Sequence, residues 1–282
     1  MPMQCLDVSK ISSLQLCSPI VNEGGSVLYR CTVLWDNNSE PKESYLKCFL
    51  AKNNKALCNE ITGYMIAKNA NLPVPEYAAY IDLKQDILND VLNDIVEHFD
   101  CDGFQYGFIM SVSPGKSCSQ LFSSSCSVVS RIAIMKIVSE NEHLPKIIAF
   151  DEWIANIDRN ASNFLISDNN IYIIDHSNAL TSPHWSNECL EPKLIYKNVI
   201  YNEFEYMSGC TSHSFELPRN DDIVESADYF SHLLHVQSES LKSIWRKLLT
   251  GAKSVDLVYS FLKYRAENRR TIPYCIQSGE RK

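Results

Sequence analysis

A tight hairpin near the middle of the chain restricts the fold more than any other sequence feature. Two short β-forming runs, FLI (164–166) and IYII (171–174), are separated by the turn-forming residues SDNN. Asp and Asn favour such turns because their side chains bond to nearby backbone and tolerate left-handed conformations. The two runs are therefore predicted to pair as antiparallel strands, which brings the residues on either side of them together.

The short turn also fixes which residues face each other across the hairpin. If Ile166 pairs with Ile171, then Asn163 lies opposite Ile174, and Asp175 is the next residue along the second strand. We therefore expect Asn163 and Asp175 to lie close together at the open end of the hairpin.

A third oxygen-bearing side chain, Asp158, lies five residues before Asn163 on the loop that enters the hairpin. Carboxylate and amide oxygens suit Mg²⁺, and a separate carboxylate can accept or orient the proton of an attacking hydroxyl. We interpret Asn163 and Asp175 as candidate metal ligands and Asp158 as the candidate catalytic residue. The same residues are also common turn formers, so an ordinary polar hairpin remains an alternative. Arg159 could hold a phosphate, but we expect it to pair with a neighbouring carboxylate instead.

A second polar pair precedes the hairpin by about a hundred residues. Lys47 lies inside the apolar, β-forming run SYLKCFLA (44–51), where a lysine either reaches solvent or is paired. Glu60 begins the following helical pattern, thirteen residues later, and that helix should end before LPVPE, whose prolines break it. Packing of this helix against the sheet would bring Glu60 to Lys47. We therefore predict that the two side chains form a pair able to bind phosphate.

The remaining candidates for nucleotide contact are backbone groups. The turn at Gly24, Gly25 and Ser26 could cover phosphates through its N–H groups. The strand that ends at Met110 and Val112 could place an adenine base against its backbone, at the start of the following connection. The chain contains no G-x-x-x-x-G-K-[ST] sequence, which excludes a P-loop enzyme.

The hydrophobic patterns predict a β-rich first third followed by a mostly helical remainder. Strands are predicted at 27–35, 44–51, 77–83 and 104–112, and helices from Asn59 and within 86–99, 128–157, 224–237 and 239–268. The serine-rich stretch 111–130 is predicted to be a flexible connection. The polar stretch between about 183 and 222 is predicted to be irregular.

Composition excludes several classes of protein. The 282-residue chain is 45% hydrophobic and carries a net charge of −8, which disfavours a nucleic-acid partner because such partners usually require a basic face. No apolar run approaches the roughly 18 residues needed to cross a bilayer. The first residues lack the basic start and long apolar middle of a signal peptide. We therefore expect a cytoplasmic protein with no membrane partner.

Cysteine is frequent but is not arranged for metal or redox chemistry. The 11 cysteines are scattered along the chain, and no CxxC pair occurs. In a cytoplasmic protein such residues are usually reduced thiols, and most are buried. We expect the same here.

The hairpin region resembles the catalytic core of the HipA-like kinases and, more distantly, that of the phosphatidylinositol 3- and 4-kinases and protein kinases. Those enzymes carry a D-R-H-x-x-N loop, and residues 158–163 read DRNASN, so that Asn160 stands in place of the His. Of the later D-F-G-like motif, only Asp175 is kept. The order of Lys47 and Glu60 before LPVPE also resembles the amino-terminal part of HipA-like kinases.

This resemblance implies an α+β, two-lobed, protein-kinase-like fold, with a β-rich amino-terminal lobe at 1–112 and a helical carboxy-terminal lobe at 113–282. It implies an ATP-dependent kinase that uses Mg²⁺ and transfers the γ-phosphate to a Ser or Thr hydroxyl of a protein. Because HipA-like kinases often act as bacterial toxins or regulators, it also implies an antitoxin-like or regulatory partner.

Two other functions fit the same residues. One is a kinase that acts on a small molecule or a lipid, because nothing in the residues identifies the acceptor. The other is a nucleotide-binding pseudokinase that regulates a partner without turnover, which the altered His and D-F-G positions suggest.

Overall fold

The computed structural model describes residues 11–20, 26–35, 40–50, 54–82, 104–122, 126–196 and 198–268. Within these ranges the chain combines α-helices with small antiparallel β-sheets, as the α+β prediction requires. The predicted helix at 86–99 and the glycines Gly24 and Gly25 lie outside the described residues.

The larger sheet has five antiparallel strands in the order β1-β2-β3-β5-β4. Four of these strands confirm the predicted ones. The strand β1 was not predicted, because serines and Pro19 interrupt its apolar pattern. Proline is tolerated in β1 because this strand lies at an edge of the sheet. Lys47 lies on the central strand β3, opposite Leu28 of β2 and Phe108 of β5. The strands are β1 (Ile11–Ile20), β2 (Ser26–Trp35), β3 (Lys42–Leu50), β4 (Ala78–Asp82) and β5 (Phe104–Ser111).

Helix α1 (Asn54–Asn69) packs on the face of the sheet that carries Phe49 and Phe108, and it begins five residues earlier than predicted. Its apolar residues are buried almost all round, so the helix lies between the sheet and the helical part of the chain. Gly63 permits this position, because a Cβ atom there would lie 2.4 Å from Cβ of His176. The helix ends before Leu72 and Pro73, as predicted.

The serine-rich stretch is not the flexible connection that we predicted. Within its described residues it forms β6 (Lys116–Ser117), α2 (Cys118–Leu121) and the start of α3 (Val128–Ser139). Ser117 and Ser127 accept hydrogen bonds at the amino ends of the two helices, and Gln120 completes a capping box with Ser117. The serines therefore act as helix caps, a role that composition alone does not reveal. The serines at 123–125 lie outside the described residues.

The smaller sheet contains the predicted hairpin. Strands β7 (Phe164–Ser167) and β8 (Asn170–Ile173) pair with Ile166 opposite Ile171, which confirms the predicted register. The backbone N–H of Ile174 donates to the carbonyl of Asn163 at 3.1 Å, so these residues also face each other as predicted. Strand β6 pairs with the outer side of β7.

Helices make up most of the remaining described structure. Helix α4 (Leu144–Trp153), together with α3, confirms the prediction for 128–157. Helix α5 (Val199–Thr211) lies in the stretch predicted to be irregular; its signal was the buried set Ile200, Phe204 and Met207 at helical spacing. The carboxy-terminal helices are α6 (Asn220–Ala227), α7 (Phe230–Leu248) and α8 (Ala252–Glu267). The long helix predicted for 239–268 is interrupted before α8 at Gly251, which has φ 86°.

One hydrophobic core runs from the α1 side of the larger sheet to the carboxy-terminal helices. Trp245 of α7 donates its indole N–H to Thr62 of α1 at 2.8 Å, and Trp153 of α4 stacks on Phe230 of α7. The cysteines whose side chains are described are free thiols, as expected. Four of them are buried, namely Cys31, Cys48, Cys58 and Cys118. Among the described residues, no helix is both long enough and apolar enough to cross a membrane.

The close approach at Gly63 gives a testable consequence for stability. Gly63→Ala should destabilise the protein by about 1–3 kcal/mol, because the added methyl group must displace His176 or the helix. Gly209→Ala on α5 is the matched control, since a Cβ there has no heavy atom within 4 Å. That change should instead stabilise the protein by about 0.5–1 kcal/mol through helix propensity. Urea unfolding of the two variants measures both effects, and equal effects would contradict the packing described here.

Candidate functional site

Three side chains from distant parts of the chain meet between the larger sheet and the hairpin. The Nζ atom of Lys47 lies 3.4 Å from Oε2 of Glu60 and 3.1 Å from Oδ1 of Asp175. The predicted contact between Lys47 and Glu60 is therefore present. The contact with Asp175 joins residues that are 128 positions apart in sequence. The other carboxylate oxygen of Glu60 accepts from the backbone N–H of His176 at 3.2 Å, so Glu60 bridges β3 and the residue after Asp175.

Asp158 lies on the loop before the hairpin, and two amide side chains orient its carboxylate. Asn160 donates to Oδ1 at 2.8 Å, and Asn178 donates to Oδ2 at 3.0 Å. Asn160 also accepts from the N–H of Ser162 and so caps the short 3₁₀ helix Ala161–Asn163. The amide of Asn160 therefore both orients Asp158 and shapes the loop.

At the open end of the hairpin Asn163 faces Ile174, the residue before Asp175, as predicted. The amide nitrogen of Asn163 donates to the carbonyl of Asp158 at 2.6 Å, which directs this donor away from a cation and leaves the amide oxygen for one. Oδ1 of Asp175 accepts from Lys47 and from the N–H and hydroxyl of Ser177. The Asp175 side chain is 39% exposed, so a ligand can reach its carboxylate.

This donor set fits Mg²⁺, which prefers oxygen ligands and keeps several waters. Asp175 has φ 56°, a left-handed backbone that Asp and Asn adopt more readily than most residues. In the described part of the chain, no group of three or more His, Cys, Asp and Glu side chains is arranged to hold a metal. A cation here would therefore depend on the Asn163 and Asp175 oxygens, water and a bound ligand.

Arg159 holds the base of the site together and is fully buried. Its Nε and Nη2 atoms each donate to the Asp151 carboxylate at 3.0 Å, which confirms the predicted pairing with a carboxylate. It also donates to the carbonyl of Ile174 at 2.6 Å and contacts Nδ1 of His176 at 2.9 Å. Because a guanidinium can only donate, Nδ1 of His176 must accept.

Charge and burial set the protonation of the central carboxylates. Burial raises the pKa of Glu60 to about 7, although the charge of Lys47 acts in the opposite direction. Burial also acts to raise the pKa of Asp175, but Lys47 and the Ser177 hydrogen bonds outweigh it and hold that pKa well below its usual value. Burial would lower the pKa of Lys47, yet Asp175 and then Glu60 raise it above its usual value. Asp175 is therefore the main counter-charge of Lys47.

The backbone groups predicted to contact a nucleotide lie in the larger sheet or directly after it. Ser26 is the first residue of β2, beside the β1–β2 connection, and pairs with Phe49 two residues beyond Lys47. Met110 is paired on both sides within the sheet. The N–H of Val112 donates to the carbonyl of Glu43 at 2.9 Å, so that donor is not available to an adenine in this conformation.

Sequence reasoning missed several residues that build the site. Asn59, Asn178 and Ser177 contact it or its supporting backbone through hydrogen bonds. Each is a common surface residue type, and a lone Asn or Ser gives no pattern to detect. His176, for which the sequence analysis predicts no role, is buried and hydrogen-bonded to Arg159.

Comparison with known proteins adds no identification. No protein-family model matches the chain. No curated protein matches it significantly.

The raised pKa of Glu60 predicts an unusual dependence of stability on pH. A carboxyl whose folded pKa is about 7 against an ordinary value of 4.5 stabilises the folded state below pH 4.5. That contribution is lost as the pH rises to 7, because the folded state then releases its extra proton. The free energy of unfolding of the native chain, minus that of Glu60→Gln, should therefore fall between pH 4.5 and 7 and be level above it.

Urea unfolding at half-unit pH intervals checks this difference. The lowered pKa of His176, caused by burial and by Arg159, gives the opposite slope below pH 6.5. Because both chains contain His176, its contribution is removed by the subtraction. A difference that rises with pH in this window would contradict the assignment.

Proposed function

We propose that the chain is an ATP-dependent phosphotransferase of the HipA-like kinase type, which transfers the γ-phosphate to a hydroxyl of a protein Ser or Thr. The observation that carries the proposal is the contact of Lys47 with both Glu60 and Asp175. The sequence order of these residues predicts a phosphate-binding lysine, its acidic partner and a metal ligand. Their meeting at one point, beside the Asp158 loop, supports that set of roles.

In the proposed mechanism each residue has a separate task. Lys47, held by Glu60, binds the phosphates, and the predicted glycine turn at Gly24 and Gly25, followed by Ser26 at the start of β2, would cover them. Asn163 and Asp175 supply the oxygen atoms for Mg²⁺, which neutralises phosphate charge when bound. Asp158 orients the acceptor hydroxyl and accepts its proton. Most of the acceleration would come from positioning and electrostatics, because phosphoryl transfer requires little covalent chemistry from the protein.

The hydrogen bonds of Asp158 support its role as a positioned base. Asn160 and Asn178 each occupy one carboxylate oxygen, which fixes the plane of the carboxylate relative to the loop. Each carboxylate oxygen has a second lone pair, so both can still accept from an acceptor hydroxyl. Replacement of the family's His by Asn160 therefore retains a group that orients the loop.

The proposal includes a two-lobed arrangement with the nucleotide between residues 1–112 and 113–282. The larger sheet would cover the phosphates, and the hairpin and helices would hold the metal and the acceptor. The adenine would lie near the end of β5, around Met110 and Val112. An antitoxin-like or regulatory partner belongs to the same proposal.

Transfer of labelled γ-phosphate from ATP in the presence of Mg²⁺ tests the proposal. Native protein should label itself or a lysate protein, and Asp158→Asn should lower the rate by about 10²-fold or more while leaving ATP binding intact. Asp175→Asn should abolish activity at every Mg²⁺ concentration, because the proposed metal ligand is lost. Asp168→Asn is the matched control, because Asp168 lies exposed at the turn of the same hairpin, also with a left-handed backbone (φ 53°).

The outcomes separate the proposed kinase from its alternatives. Label found only in a metabolite or lipid extract would indicate a small-molecule or lipid kinase. Binding of ATP and Mg²⁺ without transfer to any acceptor would indicate a pseudokinase. If ATP does not bind at all, the proposal is wrong and the polar residues belong to an ordinary hairpin.

A further inference from the structure

The described residues 176–196 after Asp175 form neither helix nor strand, yet hydrogen bonds to other parts of the chain hold the first of them. The segment 176–182 contains two residues with positive φ, Leu180 at 52° and Thr181 at 78°. Backbone of this kind is unfavourable for non-glycine residues unless the surrounding structure fixes it. The contacts of the segment therefore show what holds Asp175 in place.

One buried side chain, Asn59 of α1, contacts this segment three times. Its Nδ2 atom lies 2.8 Å from the carbonyl of Ser177, 2.6 Å from that of Ala179 and 2.9 Å from that of Ser182. Asn59 itself is completely buried. Two amide hydrogens are thus shared among three carbonyl oxygens of a segment without regular structure, which would otherwise lack these donors.

The orientation of the Asn59 amide is determined by its partners. The indole N–H of Trp185 donates to Oδ1 of Asn59 at 3.0 Å. An indole N–H can only donate and a carbonyl can only accept, so the amide oxygen must face Trp185 and the nitrogen must face the carbonyls. Asn is the residue that satisfies both sides with one short side chain.

A short chain of hydrogen bonds leads from Asn59 to the candidate metal ligand. Asn59 holds the carbonyl of Ser177, and the N–H and hydroxyl of Ser177 hold Oδ1 of Asp175 at 3.2 and 2.6 Å. The neighbouring residue, Glu60, contacts Lys47 and the N–H of His176. Asn59 therefore acts on Asp175 from one side, while Glu60 acts on its lysine partner from the other.

The opposite side of the segment is held by the backbone before Asp158. The N–H groups of Leu180 and Thr181 donate to the carbonyls of Ile154 and Ala155 at 2.8 and 3.0 Å. Asn178, between these contacts and Asp175, donates to Asp158. The segment thus lies between α1 and the Asp158 loop, and a shift of its backbone would displace Asp158 and Asp175 together.

We propose that Asn59 is a positioning residue for the phosphotransfer site, which through the backbone of 177–182 fixes Asp175 for Mg²⁺ and ties that position to the helix that carries Glu60. The inference rests on the proposed function. It implies that the segment after Asp175 is held in place by the fold itself, without a phosphate or ligand to order it.

The experiment compares Asn59→Leu with Thr62→Val in the full chain. Leu has the same branching and the same number of side-chain heavy atoms as Asn but cannot donate to the carbonyls of 177, 179 and 182. Thr62, one turn further along α1, is 1% exposed and accepts from Trp245 at 2.8 Å, on the side that faces α7. Thr62→Val therefore removes an equally buried hydrogen bond of the same helix without contact to the segment. Both variants are measured for urea stability, for deuterium uptake of 176–182, and for the Mg²⁺ dependence of phosphate transfer.

Asn59→Leu should raise the Mg²⁺ concentration for half-maximal rate by about 10-fold, because outer partners of metal ligands typically have effects of this size. It should also raise deuterium uptake in 176–182. Thr62→Val should lose stability to a similar extent and change neither readout. If the Mg²⁺ dependence of Asn59→Leu equals that of the native chain, or if both variants change it alike, Asn59 has only a structural role and the inference is wrong.

Failure of the proposed function would give a different result. If the native chain neither binds ATP nor transfers phosphate, deuterium uptake alone decides whether Asn59 holds the segment. Increased uptake confined to 176–182 in Asn59→Leu would retain Asn59 as the residue that fixes this backbone. Unchanged uptake would overturn that as well.

Discussion

The arrangement of the site depends on the burial of one positive charge, that of Arg159. A guanidinium removed from water is stable only if its donors are satisfied and its charge is compensated. Here the Asp151 carboxylate pairs with two of its nitrogens, and Ile174 and His176 take further contacts. These partners come from α4, from the end of the hairpin and from the segment beyond it. Satisfying one buried charge therefore fixes the relative positions of all three.

The two cationic side chains of the site, Arg159 and Lys47, differ in how far water can reach them. The Arg159 pair is closed to solvent, since the exposed fractions of the Arg159 and Asp151 side chains are 0% and 1%. The Lys47 pair is open, with exposed fractions of 12% for Lys47 and 39% for Asp175. A closed pair in which all three guanidinium nitrogens are already hydrogen-bonded offers little to a ligand. A partly exposed lysine with two competing carboxylates can exchange one of them for a phosphate, which is the property that a binding site requires.

The parts of the site that could be predicted from sequence are those set by local rules. The hairpin register follows from a short turn between two β-forming runs, so the position of Asn163 opposite Ile174, the residue before Asp175, could be predicted. The contact of Lys47 with Glu60 could be predicted because a lysine in an apolar strand often pairs with an acid, and Glu60 lies on the next helix. The three contacts of Asn59 were not readable, since they join one amide to carbonyls more than a hundred residues away. Side-chain amides bonded to backbone depend on the path of the folded chain and leave no spacing in the sequence.

The placement of α1 has a consequence for motion. This helix packs more extensively on α7 than on any described strand of the larger sheet. Thr62 accepts a hydrogen bond from Trp245 of α7, and Ala70 accepts one from Tyr229, just before α7. Helix α1 is therefore packed mainly with the carboxy-terminal helices, although in sequence it lies between β3 and β4. Any closing movement of the strands over a ligand would then be a sliding of β3 past α1. Lys47 lies on β3 and Glu60 on α1, so such a movement would change the 3.4 Å distance between Nζ of Lys47 and Oε2 of Glu60.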